Sequence, residues 1–183
     1  MRLVNSTFVS LDGVINHMDA WHFPYVDDES GQIALEQLLA SDALLMGRKT
    51  YDVYANSWPN RSGEYAERIN RMPKYVASTT LEKADWNNTT VLQDDLVEEV
   101  TRLKRQPGGD ILMHGFGPVA RTLLQHGLLD LLHLWVHPAL AGVGTTDDML
   151  FSEGTNARFR LLGTRTLHSG VVMLSYDYEP AAA

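Results

Sequence analysis

"DALLMGRKTYDVY", Asp42 to Tyr54, places a fully apolar run, Ala43-Leu44-Leu45-Met46, directly before a glycine, two cations and the start of a helical pattern. A short apolar run without polar alternation suits a strand covered on both faces, as strands of parallel sheets are. Strand, glycine, helix is the repeating unit of an open α/β sheet. In such sheets ligands lie beyond the carboxyl ends of the strands, where helix N-termini offer unpaired N–H groups. Gly47 lets the backbone approach a ligand closely, Arg48 and Lys49 add positive charge where the helix dipole is already positive, and the Thr50 hydroxyl and N–H can both donate. Two cations at that end oppose helix formation by about 0.3–1 kcal/mol each. A bound anion offsets that cost; the plainer reading is a solvated, charged first turn. The stretch is not a Walker loop, because Arg48 stands between the glycine and Lys49.

A second corner of the same kind follows in "DILMHGFGPVARTLL", Asp110 to Leu124, with Gly115 and Gly117 permitting close approach and Pro118 opening a helix. Two such corners suit the two phosphates of a dinucleotide, held from opposite sides. The Gly-x-Gly-x-x-Gly fingerprint is absent, since Ala120 replaces its last glycine. Further strands are predicted at 3–9, 74–77, 89–92 and 131–137, and helices at 30–40, from Asp94 or Asp95 to about 104, and from Pro118 to near Gly127. Residues 14–28 read as a long irregular loop carrying Trp21, His22, Phe23 and Tyr25. Strands at about 157–167 and 171–178 flank His168-Ser169-Gly170 as a hairpin. This alternation predicts an α/β sandwich with a mainly parallel sheet and an antiparallel edge.

The 183 residues suit one domain with a sizeable core, expected over 1–180, with the alanines at 181–183 frayed. A net charge of −8 argues against a nucleic-acid partner. No apolar stretch is long enough for a membrane span, no secretory leader is read at the N-terminus, and the absence of cysteine makes a cytoplasmic address the simplest expectation. Seven histidines do not form a metal signature, and neither a His-x-Glu nor a paired-cysteine deaminase motif is present.

Taken in order, "FVSLDGVI" (8–15), "ALLMGRKTYDVY" (43–54), "KYVASTTL" (74–81), "DILMHGFGPVARTLLQHGLLD" (110–130), "LWVHPALAGVG" (134–144) and "SGVVMLSYDY" (169–178) resemble the dihydrofolate-reductase-like superfamily. The branch they resemble most is the reductase domain of riboflavin-biosynthesis enzymes and its stand-alone relatives. The resemblance implies a three-layer sandwich, its central sheet mostly parallel with helices on both faces and a C-terminal antiparallel hairpin. It also implies NADPH as cofactor and hydride transfer to a small planar heterocycle (pterin or pyrimidine-like) or to a carbonyl or imine. By position, Gly47, Arg48, Lys49 and Thr50 resemble phosphate contacts, with Arg48, Ser78 and Thr79 near the 2′-phosphate. Gly115, Phe116, Gly117 and Val119 match the second phosphate turn, while Phe8 and Ile15 match positions whose backbone holds the nicotinamide carboxamide. An Arg fork with two hydroxyls suits a dianionic phosphate and favours NADP over NAD.

The acidic residue that folate enzymes carry in the first helix falls near Gly31, which leaves Asp27, Asp28 and Glu29 as candidate proton donors or as N-terminal caps. Trp21, Phe23, Tyr51 and Trp58 are expected to wall a substrate cleft, with Tyr54 more suited to the core. His137 is either a donor or a satisfied strand terminus, His114 lies beside the second glycine turn, and Asp12 orients substrate or makes a turn with Gly13. Two alternatives to the reductase remain open: a binding module without chemistry on the same fold, and a riboflavin-pathway reductase acting on a ribosylaminopyrimidine phosphate. The latter needs a second cationic site, for which Arg61, Arg68 and Arg71 are the candidates. Leu131–Val136 and the final hairpin suit either a homodimer interface or completion of the core.

Overall fold

The apolar run of the opening stretch is buried along its whole length, inside β2 (Ser41–Gly47). A computed structural model describes residues 1–150 and 153–180; the expected frayed tail at 181–183 lies outside the described residues. The other strands are β1 (Leu3–Val9), β3 (Lys74–Ala77), β4 (Thr89–Leu92), β5 (Asp110–His114), β6 (Leu131–Val136), β7 (Arg158–Thr166) and β8 (Val172–Glu179). Among the described residues they form one eight-stranded sheet in the order β4-β3-β2-β5-β1-β6-β8-β7. All neighbours from β4 to β6 pair in parallel, and β8 and β7 close the sheet antiparallel.

Side-chain alternation explains why β2 and β5 read as continuous apolar runs. Ala43, Leu45, Ile111 and Met113 face one layer, where they meet Val100 and Leu103 of α5 (Leu96–Lys104) and Ala120, Leu123 and Leu124 of α6 (Pro118–Gln125). Leu44, Met46 and Leu112 face the other, against Leu38 of α2 (Asp28–Leu39), Tyr51 of α3 (Arg48–Ser57) and Ile69 of α4 (Glu64–Arg71). A sheet sealed on both sides has no polar face, so its central strands need no polar residues. Asp95 is the residue that caps α5, accepting from the N–H groups of Val97 and Glu98. No helix among the described residues is long and apolar enough to cross a membrane.

The segment expected to be an irregular loop is partly ordered. It contains α1 (Met18–Trp21) and a single 3₁₀ turn, Phe23–Tyr25. Helix propensity does not build these short pieces; tertiary contact does. Trp21 is 2% exposed, and its indole N–H donates to the Asn16 carbonyl at 2.8 Å. Asp12 fixes the start of the same segment, accepting from the Ser10 hydroxyl and from the N–H groups of Ala141 and Gly142. Asp148 fixes its middle through Asn16 and His17.

Candidate active site

The two glycine corners lie side by side at the ends of β2 and β5, which are parallel neighbours, and their helices cover opposite faces of the sheet, α3 on one and α6 on the other. At the first, Gly47 caps α3 with extended backbone; at the second, Gly117 caps α6. Neither cap supplies a side-chain acceptor, so the first-turn N–H groups of both helices are free of side-chain caps. The corners touch: a Cβ built on Gly47 would lie 3.3 Å from the Val119 Cγ2. Gly115 has φ +78°, and beyond both Gly115 and Gly117 a Cβ would meet no atom within 4 Å. Phe116 between them is buried in the core and anchors the turn, while the Asn5 side-chain amide donates to the Gly115 carbonyl at 2.7 Å. These corners present N–H groups, positive helix ends and unfilled space, which fits a phosphorylated nucleotide.

Arg48 is exposed and is held by Asp52 one turn along the same helix, Nε to Oδ1 at 2.8 Å. An exposed i,i+4 pair contributes only about 0.3–0.5 kcal/mol, so a phosphate dianion can draw the guanidinium away. Lys49 is exposed and Thr50 half-buried. The Ser78 hydroxyl accepts from the Leu81 N–H at 3.1 Å and Thr79 is exposed, both beyond the end of β3. Arg48 and Asp52 border a cleft of about 660 Å³ that runs between α3 and the 81–87 segment. Tyr51 lies beneath this cleft, its hydroxyl accepting from the Asp85 N–H at 3.0 Å.

A second cavity, about 490 Å³, opens between α2, α3 and the ends of β1, β5 and β6. Phe8, Phe23, Trp58, Trp135 and Tyr65 contribute to its apolar wall, and His22, His114, His137 and Tyr54 are among its polar groups. Phe23 and Trp58 are therefore where the aromatic wall was expected. Trp21 and Tyr51 are not: Trp21 is buried behind His137, ring centroids 5.0 Å apart, and Tyr51 serves the other cleft. Tyr54, expected in the core, packs against the core and also lines the cavity. Ile15 is buried, its N–H donating to the Asp148 carbonyl.

The three candidate carboxylates do not line the cavity; Ser30 and Gly31 do. Asp27 is the N-cap of α2, where the Ser30 N–H, bonded at 2.8 Å, holds its carboxyl below the usual range. Asp28 sits in the first helical turn. Glu29 accepts from the His168 backbone N–H and lies 2.8 Å from its imidazole, which likewise keeps it ionised. Asp27 and Glu29 are thus engaged as cap and tether, away from the cavity in which they were expected to donate a proton.

Histidines take the polar positions that carboxylates were expected to fill. Burial lowers His22 and His114 to about 4 and lowers His137 as well, so all three are neutral near pH 7. The His114 Nδ1 lies 2.9 Å from the Tyr54 hydroxyl. Whichever group donates, one hydrogen is left over, on the His114 Nε2 or on the Tyr54 oxygen. Arg61 stacks over Trp58 at the wall, 4.7 Å from the ring centroid. Arg68 does not join it, because its guanidinium binds the Ser41 carbonyl and Asp42. Among the described residues no group of three or more His, Asp or Glu side chains is placed to hold a metal ion. His114 and His137 had a sequence signal, each ending a strand; His22 had none, since its partner is 115 residues away.

The model of the RibD C-terminal domain matches residues 2–173. The uncharacterized protein YyaP of Bacillus subtilis (strain 168) is 29% identical over 186 residues, covering 97% of this chain and 95% of that protein. Among solved structures, a pyrimidine reductase-like protein from Corynebacterium diphtheriae superposes with a TM-score of 0.70 at 14% identity, covering 98% of this chain and 92% of that one. Dihydrofolate reductase from Enterococcus faecalis, complexed with NADP(H), superposes with a TM-score of 0.66 at 14% identity, covering 98% and 97%.

Proposed function

The chain belongs to the RibD C-terminal domain family, and from that premise we propose that it is an NADPH-dependent reductase acting on a small planar heterocycle, carbonyl or imine compound. The observation that carries this reading is the pair of touching, glycine-edged helix N-termini without side-chain caps, the second of which follows closely on His114, a residue lining the aromatic-walled cavity. When bound, NADPH would supply the hydride. The chain's own residues do the rest. First-turn N–H groups of α3 and α6 hold the phosphates, and Arg48 with Ser78 and Thr79 holds the 2′-phosphate. The backbone of Phe8 and Ile15 steadies the carboxamide end. Phe8, Phe23 and Trp58 stack on the acceptor and exclude water. Since no carboxylate among the described residues lines the cavity, the proton comes from water or from the Tyr54–His114 pair.

The test is thermal. NADPH raises Tm more than NADH does, and Arg48→Ala removes the difference; equal shifts from both nucleotides in the parent protein overturn the 2′-phosphate assignment. The missing carboxylate favours a second reading, a binder that holds nucleotide and ring without turnover. Steady NADPH oxidation with a panel of pterins, pyrimidines and quinones excludes it, whereas saturation without oxidation supports it. Reduction of a ribosylaminopyrimidine phosphate is a narrower form of the first reading. It would rely on Arg61 as the cation of the cavity wall, and Arg61→Ala would then weaken phosphorylated substrates selectively.

A further inference from the structure

His137 Nδ1 lies 3.0 Å from the Trp135 carbonyl, which can only accept, so this nitrogen carries the proton. In a neutral ring the Nε2 of His137 is then a bare acceptor, and it lies 2.9 Å from the His22 Nδ1. That bond forms only if His22 is also protonated at Nδ1. The chain Trp135 C=O, His137, His22 therefore leaves the His22 Nε2 without its proton, and no protein donor meets it among the described residues. The ring is fixed in place by stacking on Phe8, centroids 4.2 Å apart, and both rings line the cavity. Among the described residues, the ionisable side chains across the cavity are Tyr25, Tyr54, Tyr65, His114 and Arg61, with no carboxylate.

We propose that His22, locked in one tautomer by His137, selects the ring edge of the ligand by accepting a hydrogen bond from an N–H of an uncharged, planar lactam or imide. A cationic amidine edge needs a carboxylate partner, which this cavity does not offer. A ring without an N–H would leave the His22 nitrogen desolvated and unpaired, which is the stronger source of discrimination. The proposal rests on the reductase reading only in taking this ligand to be the hydride acceptor.

Two measurements, both without coenzyme, test it. Long-range ¹⁵N–¹H correlation spectra of the unliganded protein near neutral pH should show His22 and His137 as Nδ1–H tautomers. Tryptophan fluorescence titrations should show pteridine-2,4-dione binding about tenfold or more tightly than its 1,3-dimethyl derivative, with His22→Phe erasing the difference. An Nε2–H or imidazolium form of either histidine overturns the proposal, and so do equal affinities in the parent protein or no binding of either probe at millimolar concentration. The tautomer measurement needs no variant, so a poorly folding His22→Phe leaves the question decidable. Loss of the nucleotide-induced Tm shift would count against the reductase reading alone.

Discussion

Lys74 opens β3 yet is fully buried, and its ammonium donates to the carbonyls of Ile69, Asn70 and Met72 at 2.9, 3.1 and 2.8 Å. These include carbonyls at the end of α4 that have no helical partner, and the charge sits 4.5 Å from the centroid of Trp86. Burial lowers this amine to about 8, so it remains mainly charged near pH 7. Lys74→Met keeps the stem and removes the donor, leaving three buried acceptors short. We expect a loss of about 2–3 kcal/mol, read as a lower urea midpoint at unchanged slope. The sequence alone gave no sign of this, for a lysine at the head of a strand reads as solvent-exposed.

At the scale of elements, the segment from Asp12 to Tyr25 is held by carboxylates more than by its own helices. Asp12 is kept at about 2, below its ordinary 3.8, chiefly by the Ser10 hydroxyl and then by two backbone N–H groups. Asp12→Ala should loosen the 139–142 loop and the segment bearing Trp21 while leaving the sheet intact. The expected readout is faster amide exchange at Ala141 and Gly142 with unchanged exchange in β2 and β5. The strands and principal helices were legible in the sequence because each carries its own periodicity and punctuation: Asp95, Gly47 and Pro118 mark helix starts without reference to anything distant. The sorting of the aromatics was not. Tyr51 and Tyr54 are three residues apart on one helix, and what separates them is the partner each meets, the Asp85 N–H for one and His114 for the other. Gly31 at the position of the family's acid was legible, but the histidines that line the cavity come from the end of α1, the end of β5 and the residue after β6, which sequence spacing cannot join.

For the whole molecule, the buried histidines set how stability responds to acid. His22 and His114 drop from 6.5 to about 4 on folding, through burial, so between these values the unfolded chain binds more protons than the folded one. Stability therefore falls as pH is lowered from about 6.5 to about 4. Asp12 works with the opposite cause and the same sign at lower pH: its contribution is complete above its unfolded value of 3.8 and is lost as pH falls toward about 2. Tm against pH should thus decline in two stages. His114→Phe should shrink the upper stage, His22 supplying what remains, and leave the lower one; a single decline confined below pH 4 in the parent protein would contradict this account.

Gly47 and Val119 meet where the two corners join, a valine methyl bounding the space beside the glycine. Descent is constrained by that contact: a methyl gained at position 47 presses on the valine by a few tenths of an ångström, so what a lineage tolerates at 47 depends on what it carries at 119. Change meets less resistance at the neighbouring Arg48 and Lys49, whose side chains are exposed.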